Sequence, residues 1–230
     1  QVRFSSHDIF TPGDQPDVLV AMNPAALKVN LPELRTNGVL IINSDAFTPN
    51  NLRLAGYAQS PLDDESLEGY QVFKVEATKL TRAALAEAAI RKRGQKAVDR
   101  CKNFFALGMT YWLYHRSLDA TIDWIHKKFD GHEDLIEANE AALRAGYNHA
   151  YSTELFKVTY EVTPAKFEPG HYRNVSGNTA IALGLLTASE LSGLDLFFGS
   201  YPITPASDIL HELSRYKRYG VVTFQAEDEI

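Results

Sequence analysis

Two stretches of this sequence combine residue types and spacing that could do chemistry. One is the acidic triplet Glu227-Asp228-Glu229, and the other is the double-proline turn Tyr201-Pro202-Ile203-Thr204-Pro205. A carboxylate can hold or pass a proton, and does so best when a rigid backbone aims it. Carboxylates are also favoured in the first turn of any helix by the helix dipole, so the triplet reads either as a site or as ordinary first-turn residues. In the turn, Pro202 and Pro205 each fix φ and remove a backbone donor. They bracket Ile203 and Thr204 and aim the threonine hydroxyl; the plainer alternative is a rigid turn whose threonine serves only local backbone bonds. A third stretch is Ser176-Gly177-Asn178-Thr179-Ala180. There Asn178 is either the N-cap of the following helix, asparagine being among the best caps, or a contact to a ligand. Asn23 and Asn43 each follow an apolar run and read as ligand contacts or as polar strand-end turns.

Other reactive types are less informative. The single cysteine, Cys101, cannot form an internal disulfide, nor hold an iron–sulfur cluster or a zinc ion by itself. It reads as a packing residue of a protein from a reducing compartment, and the expected location is the cytoplasm. The histidines show no metal-binding spacing, so no metal site is expected. Trp112, Tyr114 and Trp124 lie in helical patterns and are expected in the core. A net charge of −6 gives no basic footprint for nucleic acid. No run of about 18 apolar residues marks a membrane span.

The elements that must position these residues alternate between strand and helix. Short apolar runs at 18–22, 39–42 and 71–75, bounded by turn residues, read as buried parallel strands. A short helix over 25–28, broken by Pro32, links the first two. Ligands of open α/β sheets sit at the carboxyl ends of such strands, where Asn23 and Asn43 lie. Helices are expected over 77–92, 102–114, 120–129 and 133–146, the last stopped by Gly146. Residues 160–171 carry Pro164, Pro169 and Gly170 and read as an interdomain linker. Beyond it come a helix over 179–191, a strand over 195–199, a helix over 206–216 and a strand over 221–224. Glu227 is then expected to open a further helix. Gln1 starts inside a strand-like alternation with Val2 and Phe4, and Ile230 falls just inside that acidic turn. The expectation is therefore a piece of a longer subunit, with parts missing at both ends.

The Ser-Gly-Asn-Thr-Ala segment, Gly199-Ser200-Tyr201-Pro202-Ile203-Thr204-Pro205-Ala206-Ser207-Asp208 and Phe224-Gln225-Ala226-Glu227-Asp228-Glu229 together resemble the 2-oxoacid:ferredoxin oxidoreductases. The match is to the start of their thiamine-diphosphate, pyrimidine-binding domain. Upstream, Asp17-Val18-Leu19-Val20-Ala21-Met22-Asn23-Pro24-Ala25-Ala26-Leu27 and Gly38-Val39-Leu40-Ile41-Ile42-Asn43-Ser44 resemble the γ domain of the same enzymes, without the glycine-rich turn that normally precedes it. The order of the two resembles the α subunit of the bacterial 2-oxoglutarate type. The resemblance implies an α/β fold: a Rossmann-like γ domain over 1–165, then the start of the pyrimidine-binding domain over 172–230.

It also implies reversible oxidative decarboxylation of a 2-oxoacid, with coenzyme A as co-substrate and ferredoxin as redox partner. Pyruvate or another 2-oxoacid, or a noncatalytic assembly role, are the alternatives to 2-oxoglutarate. By resemblance Glu229, ahead of Glu227, bonds a ring nitrogen of the aminopyrimidine. Thr204, with Pro202 and Ile203, faces the substrate; Asn178 and Tyr201 face the cofactor; and Asn23 and Asn43 are candidate coenzyme A contacts. Thiamine diphosphate would be shared with a partner β subunit carrying the diphosphate site, Mg2+ and a [4Fe-4S] cluster, in a dimer of αβ heterodimers.

Overall fold

The computed structural model describes residues 2–9, 13 and 15–229, so the readings of Gln1 and Ile230 lie outside the described residues. The chain divides after Lys166 into two compact units.

In the first unit, β1 (Val18–Ala21), β2 (Val39–Asn43) and β3 (Gln71–Val75) form a parallel sheet in that order. Every residue of β2 is buried. Its alternate side chains serve two separate cores, as expected of a parallel strand covered on both faces. Leu40 and Ile42 pack with Leu27 of α1 (Pro24–Asn30) and with Leu34 and Leu67. A short α2 (Pro49–Leu54) lies beside α1. Val39 and Ile41 face the opposite way, onto Phe105, Met109 and Ala150.

That second face is built by residues of α3 (Ala77–Ala84), α5 (Lys102–Leu113) and α7 (Glu133–Ser152), while α4 (Gln95–Arg100) and α6 (Asp119–Lys128) pack in separate clusters against these helices. The helix expected over 77–92 breaks after Ala84, and residues 89–93 wind as a tighter 3-10 turn around buried Ile90. Cys101 sits between α4 and α5, packed with Leu85, Val98 and Ala142. Burial pushes its thiol pKa up to about 11.

Gly146 does not stop α7, which runs on to Ser152. A β-carbon on Gly146 would collide with the Phe105 carbonyl, and one on Gly108 with the Leu143 carbonyl. These two glycines let α5 and α7 cross backbone to backbone, which is why the pattern contains them. Trp112 packs against the core that includes Phe105, and Tyr114 stacks on Tyr160 with ring centroids 5.2 Å apart. Trp124 departs from expectation and is 50% exposed, its ring lying over Phe104 and Phe129 at the surface. Val2 and Phe4 are not in a strand.

Tyr160, expected to open the linker, belongs to the first unit. The Tyr160 N–H donates to the Leu113 carbonyl at 2.7 Å, anchoring that residue to the first unit. From 161 to 176 there is no helix or strand.

The second unit holds α8 (Gly177–Ser192), β4 (Phe197–Ser200), α9 (Ser207–Leu213) and β5 (Val222–Gln225). β4 and β5 pair in parallel, Phe197 opposite Val222 and Ser200 opposite Gln225. Phe198 turns inward onto a small core of Ala182, Leu186, Leu213 and Val221. Phe197, Val222 and Phe224 are exposed. The helix expected to open at Glu227 is not formed among the described residues, where 227 and 228 make a bend.

Candidate functional site

Parallel pairing decides what meets in the second unit. Because β4 and β5 run the same way, the segments leaving their carboxyl ends emerge at one edge. Tyr201 leaves β4 there, and the acidic triplet leaves β5 there. The Ala226 N–H donates to the Ser200 carbonyl at 2.8 Å, continuing the ladder to that edge.

The outcome brings two candidates from separate segments of the sequence to one edge. The Tyr201 hydroxyl and the Glu229 carboxylate lie close enough at this edge to interact. The Glu229 carboxylate first, and desolvation second, raise the tyrosine pKa. Glu229 is otherwise exposed, as is Glu227. An acid near solvent with one hydroxyl donor keeps acceptor capacity for a second partner.

The double-proline loop lies on the same edge. Pro202, Ile203 and Thr204 are exposed, and the Thr204–Pro205 peptide is cis. No hydrogen bond engages the Thr204 hydroxyl among the described residues. The local backbone role open to this threonine is instead taken by Ser207, which the sequence reading did not single out. Its Oγ accepts from the Ile203 N–H at 2.9 Å and donates to the Ile203 carbonyl at 2.9 Å. The signal was available: a serine at the start of a predicted helix, in its first turn and four residues after a loop backbone group, is a recurrent turn-closing arrangement.

Asn178 is not the helix cap. Ser176 caps α8, its Oγ accepting from the Thr179 N–H at 3.2 Å. The Asn178 amide nitrogen donates to the Pro205 carbonyl at 2.8 Å, tying the start of α8 to the loop. One edge thus gathers Asn178, the 201–205 loop, Ser207 and Glu229.

The two upstream asparagines sit at the corresponding edge of the first unit's sheet. Asn23 is exposed and caps α1, its Oδ1 accepting from the Ala26 N–H at 2.8 Å. A shallow cleft beside it is lined by Pro24, Ala25, Asn51, Leu54 and Ala55. Asn43 is only 2% exposed. Its amide nitrogen donates to the Met22 carbonyl at 3.3 Å and to Thr78 Oγ1 at 3.1 Å, and its Oδ1 accepts from the Thr78 N–H at 3.3 Å. Asp45 completes this edge, accepting from the Lys79 N–H at 2.7 Å. Asn43 and Asp45 together bind N–H groups in the first turn of α3, which has no cap of its own. Among the described residues no group of His, Cys, Asp and Glu is placed to hold a metal ion.

Comparison with known proteins agrees along the chain. The sequence model of the pyruvate ferredoxin/flavodoxin oxidoreductase family matches residues 1–149. The chain is 52% identical over 231 aligned positions to the 2-oxoglutarate oxidoreductase subunit KorA of Mycobacterium tuberculosis, covering 100% of this chain and 35% of that protein. Over 56 residues it is 54% identical to the ketoisovalerate oxidoreductase subunit VorB of Methanothermobacter thermautotrophicus, 24% of this chain and 14% of that protein. In structure it is similar to a 2-oxoglutarate:ferredoxin oxidoreductase from Magnetococcus marinus, solved with 2-oxoglutarate, coenzyme A and succinyl-CoA bound. The TM-score is 0.67 at 25% identity, covering 97% of this chain and 34% of that one. The chain therefore spans about a third of the length of its whole-length relatives. With a family match across most of the sequence and a structural match across nearly all of it, the chain belongs to the pyruvate ferredoxin/flavodoxin oxidoreductase family.

Proposed function

We propose that this chain supplies the pyrimidine-side and substrate-side residues of a thiamine diphosphate site in a coenzyme A-dependent 2-oxoacid:ferredoxin oxidoreductase, with 2-oxoglutarate as the 2-oxoacid. The observation that carries this reading is the meeting of Glu229 with Tyr201 at the strand edge that also bears the Thr204 loop. The residues present fit the cofactor's pyrimidine end: a carboxylate with spare acceptor capacity, a hydroxyl beside it, and a threonine hydroxyl with no hydrogen bond among the described residues. When bound, thiamine diphosphate supplies the electron sink that stabilises the carbanion left by loss of carbon dioxide. Glu229 holds a proton between its carboxylate and a ring nitrogen, a charge-assisted bond roughly twice as strong as a neutral one. Tyr201 fixes the rotamer of that carboxylate, and Thr204 donates to the 2-oxoacid.

In this reading residues 1–165 are the γ domain and 172–230 begin the pyrimidine-binding domain. Coenzyme A binds along the γ-domain strand edge, where the exposed Asn23 and its cleft suit contact better than the buried, fully engaged Asn43. The complex converts 2-oxoglutarate and coenzyme A to succinyl-CoA and carbon dioxide, reversibly, passing two electrons to ferredoxin. A partner β subunit holds the diphosphate, Mg2+ and the [4Fe-4S] cluster, since the one cysteine here is buried in a hydrophobic core. The assembly is a dimer of αβ heterodimers in the cytoplasm; among the described residues no helix is long and apolar enough to cross a membrane. The choice of 2-oxoglutarate is supported by the whole-chain similarity to KorA, whereas the VorB similarity reaches only 24% of the chain. The test is carbon dioxide release, with a low-potential electron acceptor, from a panel of 2-oxoacids by the full-length complex. 2-Oxoglutarate is expected to be turned over fastest. A preference for pyruvate or a branched 2-oxoacid overturns the substrate, and no release from any 2-oxoacid overturns the reaction.

A further inference from the structure

We propose that Ser207 and Asn178 are positioning residues that hold the Thr204 loop in its substrate-facing shape; this rests on the reading of Thr204 as the 2-oxoacid contact. Residues 201–206 form no helix or strand, and ordering such residues costs conformational entropy. The two prolines fix only their own φ angles. The remaining freedom is concentrated at Ile203 and Thr204, the residues that must be placed.

Ser207 and Asn178 remove that freedom from both sides. Both backbone polar groups of Ile203 are bound by the Ser207 hydroxyl, and its carbonyl also accepts from the Ser207 N–H at 2.9 Å. On the other side, the Pro205 carbonyl is held by Asn178, which belongs to a different helix. Thr204 lies between the two anchored residues. Its own hydroxyl takes no part in either anchor and stays available. The anchors therefore act on the backbone around Thr204, and neither needs to touch substrate. This gives Asn178 a role distinct from both a helix cap and a cofactor contact.

The test compares Ser207→Ala, Ser207→Thr, Asn178→Ala and Thr204→Ala in the full-length complex. For each, KM for 2-oxoglutarate, KM for coenzyme A, kcat and the dissociation constant of thiamine diphosphate are measured. Ser207→Ala is expected to raise KM for 2-oxoglutarate about 10-fold, the scale of one or two lost hydrogen bonds. Its kcat should change less than about 3-fold, with coenzyme A and thiamine diphosphate constants unchanged. Asn178→Ala is expected to move the same constant in the same direction, and it decides the matter if Ser207→Ala fails to assemble. Ser207→Thr keeps the hydroxyl and is expected to restore KM. If Thr204→Ala raises KM for 2-oxoglutarate while Ser207→Ala and Asn178→Ala do not, the positioning roles are overturned and the reading of Thr204 stands. Equal rises in both KM values mark a general loss of structure and also overturn them. If Thr204→Ala itself changes nothing, the loop is not the substrate contact, and both readings fall.

Discussion

In the proposed site a carboxylate at 229 has value only if something fixes where its oxygens point, and the neighbouring Tyr201 hydroxyl is the proposed partner. Replacing it by glutamine keeps the size and an acceptor oxygen but cannot hold the transferred proton. Glu229→Gln is expected to assemble and bind thiamine diphosphate, yet lose at least about 100-fold in turnover, the scale of acid–base catalysis. Normal turnover in that variant would move the role to Glu227. Cys101 gives a second prediction at this scale. Its thiol is raised from 9.0 to about 11 by burial, so the native state favours the protonated form. The stability this contributes is fully present below pH 9 and is lost as pH rises toward about 11. Alkylation of Cys101 at pH 8 is therefore expected to be slow in the folded protein and rapid in denaturant. Fast labelling of the native protein would show that the α4–α5 junction opens readily.

The crossing of α5 and α7 is the tightest packing among the elements, and Gly108 and Gly146 make it possible. Each faces backbone of the other helix, which cannot step aside as a flexible side chain could. Gly146→Ala is expected to destabilise the fold by about 1–3 kcal/mol or more, the cost of overpacking, read as a lowered thermal midpoint. An unchanged midpoint would mean the two helices separate easily. Asn43 does comparable work at the sheet edge. Asn43→Ala leaves the Thr78 N–H and the Met22 carbonyl without their partner, at a cost of about 1–3 kcal/mol. Chemical denaturation should report that loss even where coenzyme A binding is unchanged. These glycines show where sequence reading stops. A glycine in an amphipathic pattern signals a helix end as readily as a close approach, and only the neighbouring helix separates the two. The bulk of the helices and the five strands, by contrast, were legible from apolar period and turn residues alone, because those signals are local.

For the whole molecule, the stretch 161–176 joins two units without a helix or strand of its own. It contains the trypsin sites Lys166 and Arg173, both exposed. Brief trypsin treatment is expected to cut there before it cuts within α5 or α7. Earlier cleavage inside those helices would argue that the first unit, rather than the connection, is the weak point. Chymotrypsin, which cuts after aromatic residues, is expected to spare Tyr160, since that residue is held by Leu113 and stacked on Tyr114. Prolines in the sequence mark the segment correctly as irregular, but they do not show that its first residue is docked.

The sequence by itself determined the α/β class, the parallel strands, the stiff double-proline loop and the short list of polar residues around it. Each of these follows from near neighbours: apolar period, fixed φ angles and side-chain type. Tertiary structure alone decided what those residues touch. Tyr201 meets Glu229 because two strands distant in sequence pair in parallel and release their following segments at one edge. Asn178 reaches Pro205 because α8 begins beside that edge. Asn43 is committed to Met22 and Thr78 because three chain segments converge on it. Pairing register and the approach of distant segments set these partnerships, and neither is encoded in the spacing of the residues that form them.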